Sequence, residues 1–318
     1  MEEQEQPSDG NPSTHADRRS HSSRDANSGS GLMPQAGCSK CGDAAGAAGA
    51  DLADVGTPSY VYAIGRIEVR FPNLAAEKEF AQATGRTDTA GKTDRQTLLA
   101  VLSKRENRYL VRQLCWVLNV QGLETYLLVP RDPADIDLLV GSIRSSLDSN
   151  DIDVVIGIRG PIASPTYCNG LMLPIVAFEQ IYSFSRSDLI RAIPRPENTA
   201  AAEFEAAAEE LFDRIMQITD NAGATDEHRA LNYLAMRYPV MYAKAAEEFG
   251  RDRSLTGVDV RPSPLGSGRT IVDVICAYTH RSTDFTEKFF VRVDVTEQFP
   301  FLVKKMAPYY DRESGGSR

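Results

Sequence analysis

A break in amino-acid composition near residue 56 is the strongest constraint on how this chain can fold. Residues 1–56 are rich in Ser, Asp, Gly, Asn and Ala and have almost no large apolar side chain. Such a segment buries too little apolar surface to offset the entropy that its backbone loses on folding. We therefore predict a disordered tail over 1–56 and an ordered body from Pro58 onward.

The body combines strand patterns with helix patterns. β-branched and aromatic residues over 60–71 and a nearly continuous apolar run over 153–160 indicate strands, the second one buried on both faces. Helix starts are predicted at three capping residues: Asn73, Thr93 with Gln96, and Asp132 before Pro133. The other predicted strands are 110–120, 124–130, 175–184, 270–280 and 288–295. Because some of these strands are separated only by a turn, we predict an α+β fold with antiparallel sheets and packed helices.

Two prolines, Pro194 and Pro196, interrupt the pattern and predict a boundary between two subdomains, 57–194 and 197–313. The second subdomain has an Ala- and Glu-rich helix pattern first, and strand patterns follow. Its predicted helices are 200–219, 226–249 with a kink or break at Pro239, and a closing helix over 299–306.

Charge and composition exclude several classes of protein. The net charge is −9 and the isoelectric point is about 5.1, which argues against binding to nucleic acid or to an anionic membrane. The sequence has no apolar run of about 18 residues that could span a bilayer. The acidic N-terminus lacks the apolar core of a secretion signal, and an odd number of cysteines, 5, indicates reduced thiols. We therefore expect a cytoplasmic protein.

Two of the cysteines form a Cys-x2-Cys pair in the predicted tail. The spacing of Cys38 and Cys41 suits two ligands of one tetrahedral zinc ion. Cys168, in a polar loop, is the predicted third ligand and Cys115 the fourth, whereas Cys276 is expected in the core. Four thiolates would form a closed, structural zinc site. The alternatives are a redox pair, which lacks its usual strand-to-helix junction here, and a tail with two idle thiols.

A few charged or titratable residues stand where a ligand could bind. Arg159 follows the predicted buried strand, and Asp226 and His228 begin a predicted helix. A zinc-protease helix would need His-Glu-x-x-His, and residue 232 is Asn, so that motif is excluded. We predict that Arg159 and His228 bind a peptide or partner. An ordinary surface or structural role is the alternative for each.

Five blocks of this sequence resemble the C-terminal domain of the cyanobactin maturation proteases PatG and PatA. Together the blocks extend over roughly residues 58–313. They are YVYAIGRIEVRFPNLAAEKEFAQATGR (60–86), RYLVRQLCWVLNVQGLETYLLVPRDPADIDLLV (108–140), CNGLMLPIVAFEQIYSF (168–184), ATDEHRALNYLAMRYP (224–239) and KFFVRVDVTEQFPFLV (288–303).

The resemblance implies a role in the tailoring of ribosomally made peptides. In that family, peptide cutting and ring closure belong to subtilisin-like domains, and this sequence contains no HGT-type or GTS-type motif of such a domain. We therefore expect a non-catalytic accessory module with a structural zinc. It would bind the precursor peptide or a tailoring enzyme or protease of the same pathway, for example by strand addition, and it could form a homodimer. The alternative is an enzyme of unrecognised type that uses Arg159, Asp226 and His228 in a cleft.

Overall fold

The computed structural model describes residues 59–87, 90–146, 148, 150–195, 199–218, 220–266 and 268–310. The predicted tail, with Cys38 and Cys41, lies outside these residues. The described chain has similar shares of helix and strand, and its sheets are mostly antiparallel, which confirms the α+β class. None of the described helices is long and apolar enough to cross a membrane.

The first part of the body is a closed five-stranded barrel with helices packed on it. Its strands follow the order β1-β2-β3-β5-β4, and β4 pairs with β1 to close the barrel. All of these pairs are antiparallel except β3 with β5. The elements are β1 (Tyr60–Arg70), α1 (Leu74–Gly85), α2 (Asp94–Leu102), α3 (Arg108–Gln113), β2 (Cys115–Val120), β3 (Leu123–Pro130), α4 (Ile136–Gly141), β4 (Asp151–Ile162), β5 (Pro174–Ser185) and α5 (Arg186–Ala192).

The second part is a four-stranded antiparallel sheet preceded by three helices. Pro239 splits the predicted long helix in two, because proline has no amide hydrogen to continue the helical ladder. The elements are α6 (Ala201–Met216), α7 (Asp226–Arg237), α8 (Val240–Gly250), β6 (Arg253–Pro262), β7 (Ile271–His280), β8 (Thr286–Asp294) and β9 (Phe301–Pro308). The strand order is β6-β7-β8-β9.

Strand β1 contributes to two hydrophobic cores at once. Side chains alternate along a strand, so Val61 and Ala63 lie in the core of the barrel, whereas Tyr62 and Ile64 lie in the core formed with α6, α7, α8 and the second sheet. The subdomain boundary at Pro194 and Pro196 stays a prediction. Residues from both sides of it share the second of these cores.

A buried polar network fastens β1 to the second part of the chain. The amide of Tyr62 donates to the carbonyl of Gly223 at 2.9 Å, and the side-chain amide of Asn232 donates to the carbonyl of Tyr62 at 2.8 Å. Asn232 also exchanges hydrogen bonds with Asn221. Gly223 has a φ of +70°, and a Cβ there would lie 2.3 Å from the carbonyl oxygen of Tyr62, so only glycine fits.

Three segments differ from the sequence-based predictions. Residues 110–113 belong to α3, although a strand was expected from 110. The predicted closing helix over 299–306 is wrong, because residues from Phe301 form β9 against β8. Strand β6 was not predicted at all. A short apolar run fits either a helix or a strand, and the partner available in the fold decides between them.

We expect Asn232→Leu to lower the free energy of unfolding by about 1–3 kcal/mol, because the buried carbonyl of Tyr62 would lose a hydrogen-bond donor. Urea unfolding followed by circular dichroism measures this change. Gln217→Ala, at the exposed end of α6, is the control and should change stability by less than about 0.5 kcal/mol. Equal stability of the two variants would show that the network does not hold β1.

Candidate functional site

Strand β1 changes its neighbour half-way along its length. Tyr60–Gly65 pair with β4, and Arg66–Arg70 pair with β2 on the opposite edge. The change occurs at Gly65, where a Cβ would lie 2.3 Å from the carbonyl oxygen of Asn119. After Gly65, no strand of the described chain pairs with the edge of β1 that faces away from β2. The second half of β1 is therefore half-open.

The buried carboxylate of Asp153 marks where this open edge begins. Its Oδ2 accepts the amide hydrogen of Ile67 at 2.7 Å, and its Oδ1 accepts from the hydroxyl of Ser183 at 2.5 Å. Burial raises the pKa of Asp153, and these two hydrogen bonds only partly offset that effect. Because backbone groups alternate between the two edges of a strand, Val69 presents its own on the same open edge as Ile67.

A groove of about 710 Å³ runs along the open edge, between β1 and the helices α1 and α2. Its apolar lining is formed by Ile67, Val69, Phe71, Phe80, Leu98 and Ile143. The rings of Phe71 and Phe80 contact each other with centroids 5.4 Å apart. The groove thus combines an unpaired strand edge with an apolar surface next to it.

Charged side chains line the rim of the groove. Arg70 forms ion pairs with Glu68 at 2.9 Å and with Glu124 at 3.1 Å, which neutralise its charge. Arg95 donates from Nε to the backbone carbonyl of Arg144 at 3.3 Å. Glu77 and Asp94 lie in the first turns of α1 and α2, where the helix dipole stabilises a negative charge. Among the residues that the structure describes, no histidine or cysteine lines this groove.

The residues predicted to bind a partner lie elsewhere. Arg159 is exposed near the end of β4, and its amide donates to the carbonyl of Ser59. The amide of His228, in the first turn of α7, donates to the hydroxyl of Thr225. Burial lowers the pKa of the His228 imidazole, although nearby carboxylates oppose this shift. Neither residue lines the groove, and their roles in binding stay predictions.

Arg229, which follows His228, has a structural role that the sequence pattern did not predict. Its guanidinium is buried and donates to the backbone carbonyls of Val295 and Glu297, and it lies over the ring of Tyr60. Asp226 forms an ion pair with Arg229 at 3.3 Å. An arginine on the buried face of an amphipathic helix was the one available signal for this role.

Two of the predicted zinc ligands are joined to each other instead. Cys115 and Cys168 form a disulfide, with their Cα atoms 6.1 Å apart, so the expectation of reduced thiols is wrong for this pair. Cys168 was expected to be free in an open loop, but it is only 3% exposed, because its loop folds back over β2 and β3. Sulfurs bonded to each other are not thiolates and do not bind zinc in this state.

The predicted zinc site stays a prediction, since Cys38 and Cys41 lie outside the described residues. Within the described part of the chain, no group of three or more His, Cys, Asp or Glu side chains could hold a metal. Cys276 is a free cysteine in the core, as predicted, and burial raises the pKa of its thiol to about 12.

Comparison with known proteins finds two similarities. Residues 198–309 match the family model described as PatG C-terminal. The chain carries a PatG C-terminal-like domain. A solved structure titled "PatG Domain of Unknown Function" has a similar fold, with a TM-score of 0.65 at 20% sequence identity, over 79% of this chain and 99% of that chain. Among curated proteins, no significant match is found.

The similarity of fold is not confined to the region that matches the family model. The aligned share of this chain, 79%, is too large to fit within residues 198–309 alone. The fold similarity to the PatG domain of unknown function therefore extends into the barrel.

We expect proline at position 69 to be tolerated and proline at position 68 to destabilise the fold. The amide of Val69 points to the open edge, whereas that of Glu68 points to β2, and proline removes the amide hydrogen. Glu68→Pro should lower the free energy of unfolding by at least about 2 kcal/mol more than Val69→Pro. Urea unfolding measures both variants.

Glu68→Ala is the control for this comparison, because it removes the ion pair with Arg70 and leaves the backbone amide intact. If Val69→Pro were as damaging as Glu68→Pro, the edge after Gly65 would not be open.

We also expect non-reducing digestion of the purified protein to yield a cross-linked pair of peptides that contain Cys115 and Cys168. Mass spectrometry should find Cys276 as a free thiol. Cys168→Ser should remove the cross-link and lower the free energy of unfolding by about 2–4 kcal/mol, because the bond closes a long loop. Cys276→Ser is the control that keeps it. Free Cys115 and Cys168 thiols in air-oxidised protein would contradict the disulfide.

Proposed function

We propose that this chain is a non-catalytic accessory module of ribosomal peptide biosynthesis, and that it binds an extended peptide segment in the groove beside β1. The segment would belong to the precursor peptide or to a tailoring enzyme of the pathway. The half-open edge of β1, next to an apolar surface, is the observation that carries this proposal. The resemblance to PatG supports the assignment to this pathway.

The dimensions of the groove suit an extended peptide. On one side it is lined by Ile67–Phe71, and a strand rises about 3.3 Å per residue, so this side of the groove is roughly 15 Å long. That length matches about four or five residues of an added strand. Successive side chains of such a strand point to opposite sides, so alternate residues would face the apolar lining and the others would face solvent.

The alternative, an enzyme that uses Arg159, Asp226 and His228, would require these groups to converge in one cleft. Asp226 is paired with Arg229, and Arg159 and His228 share no hydrogen bond or ion pair among the described residues. In the groove itself, the guanidinium of Arg70 is already neutralised by two carboxylates. These arrangements favour a binding module.

A bulky side chain in the groove should block the peptide without disturbing the core. Ala81 is exposed on α1 and lines the groove, so Ala81→Trp should fill it and weaken peptide binding at least tenfold, an effect of about 1.4 kcal/mol. The probe is a capped, fluorescent peptide with valine and serine at alternate positions, measured by fluorescence anisotropy.

Ala75→Trp is the matched control, because Ala75 is exposed on the same helix and does not line the groove. Wild-type protein that fails to bind the probe would refute the proposed function. Equal binding by the two tryptophan variants would show that the peptide binds at another surface.

A further inference from the structure

We infer that the groove recognises the main chain of a linear peptide, so that it distinguishes unmodified linear substrates from N-alkylated or macrocyclic products. This inference rests on the proposed function and names the class of peptide that the groove would accept. It depends on which groups of β1 face the groove.

The hydrogen-bonding pattern of β1 indicates what is missing at the open edge. Along Tyr60–Gly65 this edge pairs with β4, and at Ile67 the carboxylate of Asp153 takes the place of a strand carbonyl. The next backbone groups of β1 on the same edge belong to Val69, and no described strand pairs with them. An added strand would therefore continue the line along which β4 pairs with β1.

The side chains around the groove offer less selectivity than the backbone. The lining next to β1 is apolar, and the charge of Arg70 is compensated by Glu68 and Glu124. The two helix-start carboxylates, Glu77 and Asp94, are offset in part by their helix dipoles and by the nearby Arg95. Recognition through main-chain hydrogen bonds is tolerant of sequence, provided that alternate residues are apolar.

Main-chain pairing sets two chemical conditions on the ligand. The ligand residue that pairs with Val69 must have an amide hydrogen, so proline and N-alkylated residues are excluded at that position of the ligand. The segment must also be extended over about four or five residues. A head-to-tail ring of about eight residues needs two reverse turns of about four residues each, and it cannot provide such a segment. The ring-closing reaction would therefore consume the ligand of this groove.

Three forms of the same valine–serine probe test this inference: the linear peptide, the linear peptide with N-methyl groups on alternate amides in either register, and the head-to-tail ring. Fluorescence anisotropy should show that the unmodified linear peptide binds. The linear peptide whose N-methyl groups replace the amide hydrogens that face β1 should bind at least roughly five- to tenfold more weakly. The ring should not bind measurably. Val69→Pro should weaken binding of the linear peptide to a similar extent, and Ala75→Trp, on α1 but outside the groove, should not.

The outcomes separate this inference from the proposed function. If no form binds to the wild-type protein, the proposed function fails. If all three forms bind equally, the peptide-binding function stands and main-chain recognition is overturned. Analytical ultracentrifugation tests whether the free protein dimerises. If it does, and if Val69→Pro abolishes the dimer, the open edge binds a second copy of the chain and the inference is overturned.

Discussion

The backbone of Tyr62 is the point on which the arrangement of this fold depends. Its amide and its carbonyl are both buried, and they hydrogen-bond to Gly223 and Asn232 instead of to a neighbouring strand. An unsatisfied buried group would cost about 1–3 kcal/mol, so this pair of bonds sets where α7 and the loop before it must lie. Gly223 and Asn232 occupy this edge of β1 at Tyr62, and β2 pairs with the same edge further along the strand, from Arg66 to Arg70.

The half-open edge is a consequence of this geometry. While β1 is held by Gly223 and Asn232 on one edge, its other edge pairs with β4. After Gly65, β1 pairs with β2 and no longer with β4. The carboxylate of Asp153 then accepts the amide hydrogen of Ile67 in place of a β4 carbonyl. The barrel is closed as a whole, but β1 pairs with β4 along its first half and with β2, on the opposite edge, along its second half. The groove lies beside this second half, next to α1 and α2.

Local features of the fold could be predicted from the sequence, and its long-range pairings could not. The caps at Asn73 and at Thr93 with Gln96 were predicted correctly, because each forms within a few residues of its helix. In the sequence, Asn232 only excludes a metal motif, and nothing near it predicts its hydrogen bond to a strand 170 residues away. The burial of Cys168 depends likewise on distant residues of β2 and β3.

An open strand edge usually invites aggregation, and proteins protect such edges by covering or twisting them. Here α1 and α2 stand beside the edge, and the contact of Phe71 with Phe80 brings one helix close to the end of β1. A second folded sheet that paired with this edge would bring its own neighbouring strands towards α1 and α2, which line the groove beside it. A single extended segment has no such neighbours. The helices α1 and α2 that protect the edge therefore also limit access to it, and they favour a single extended segment over the edge strand of another folded protein.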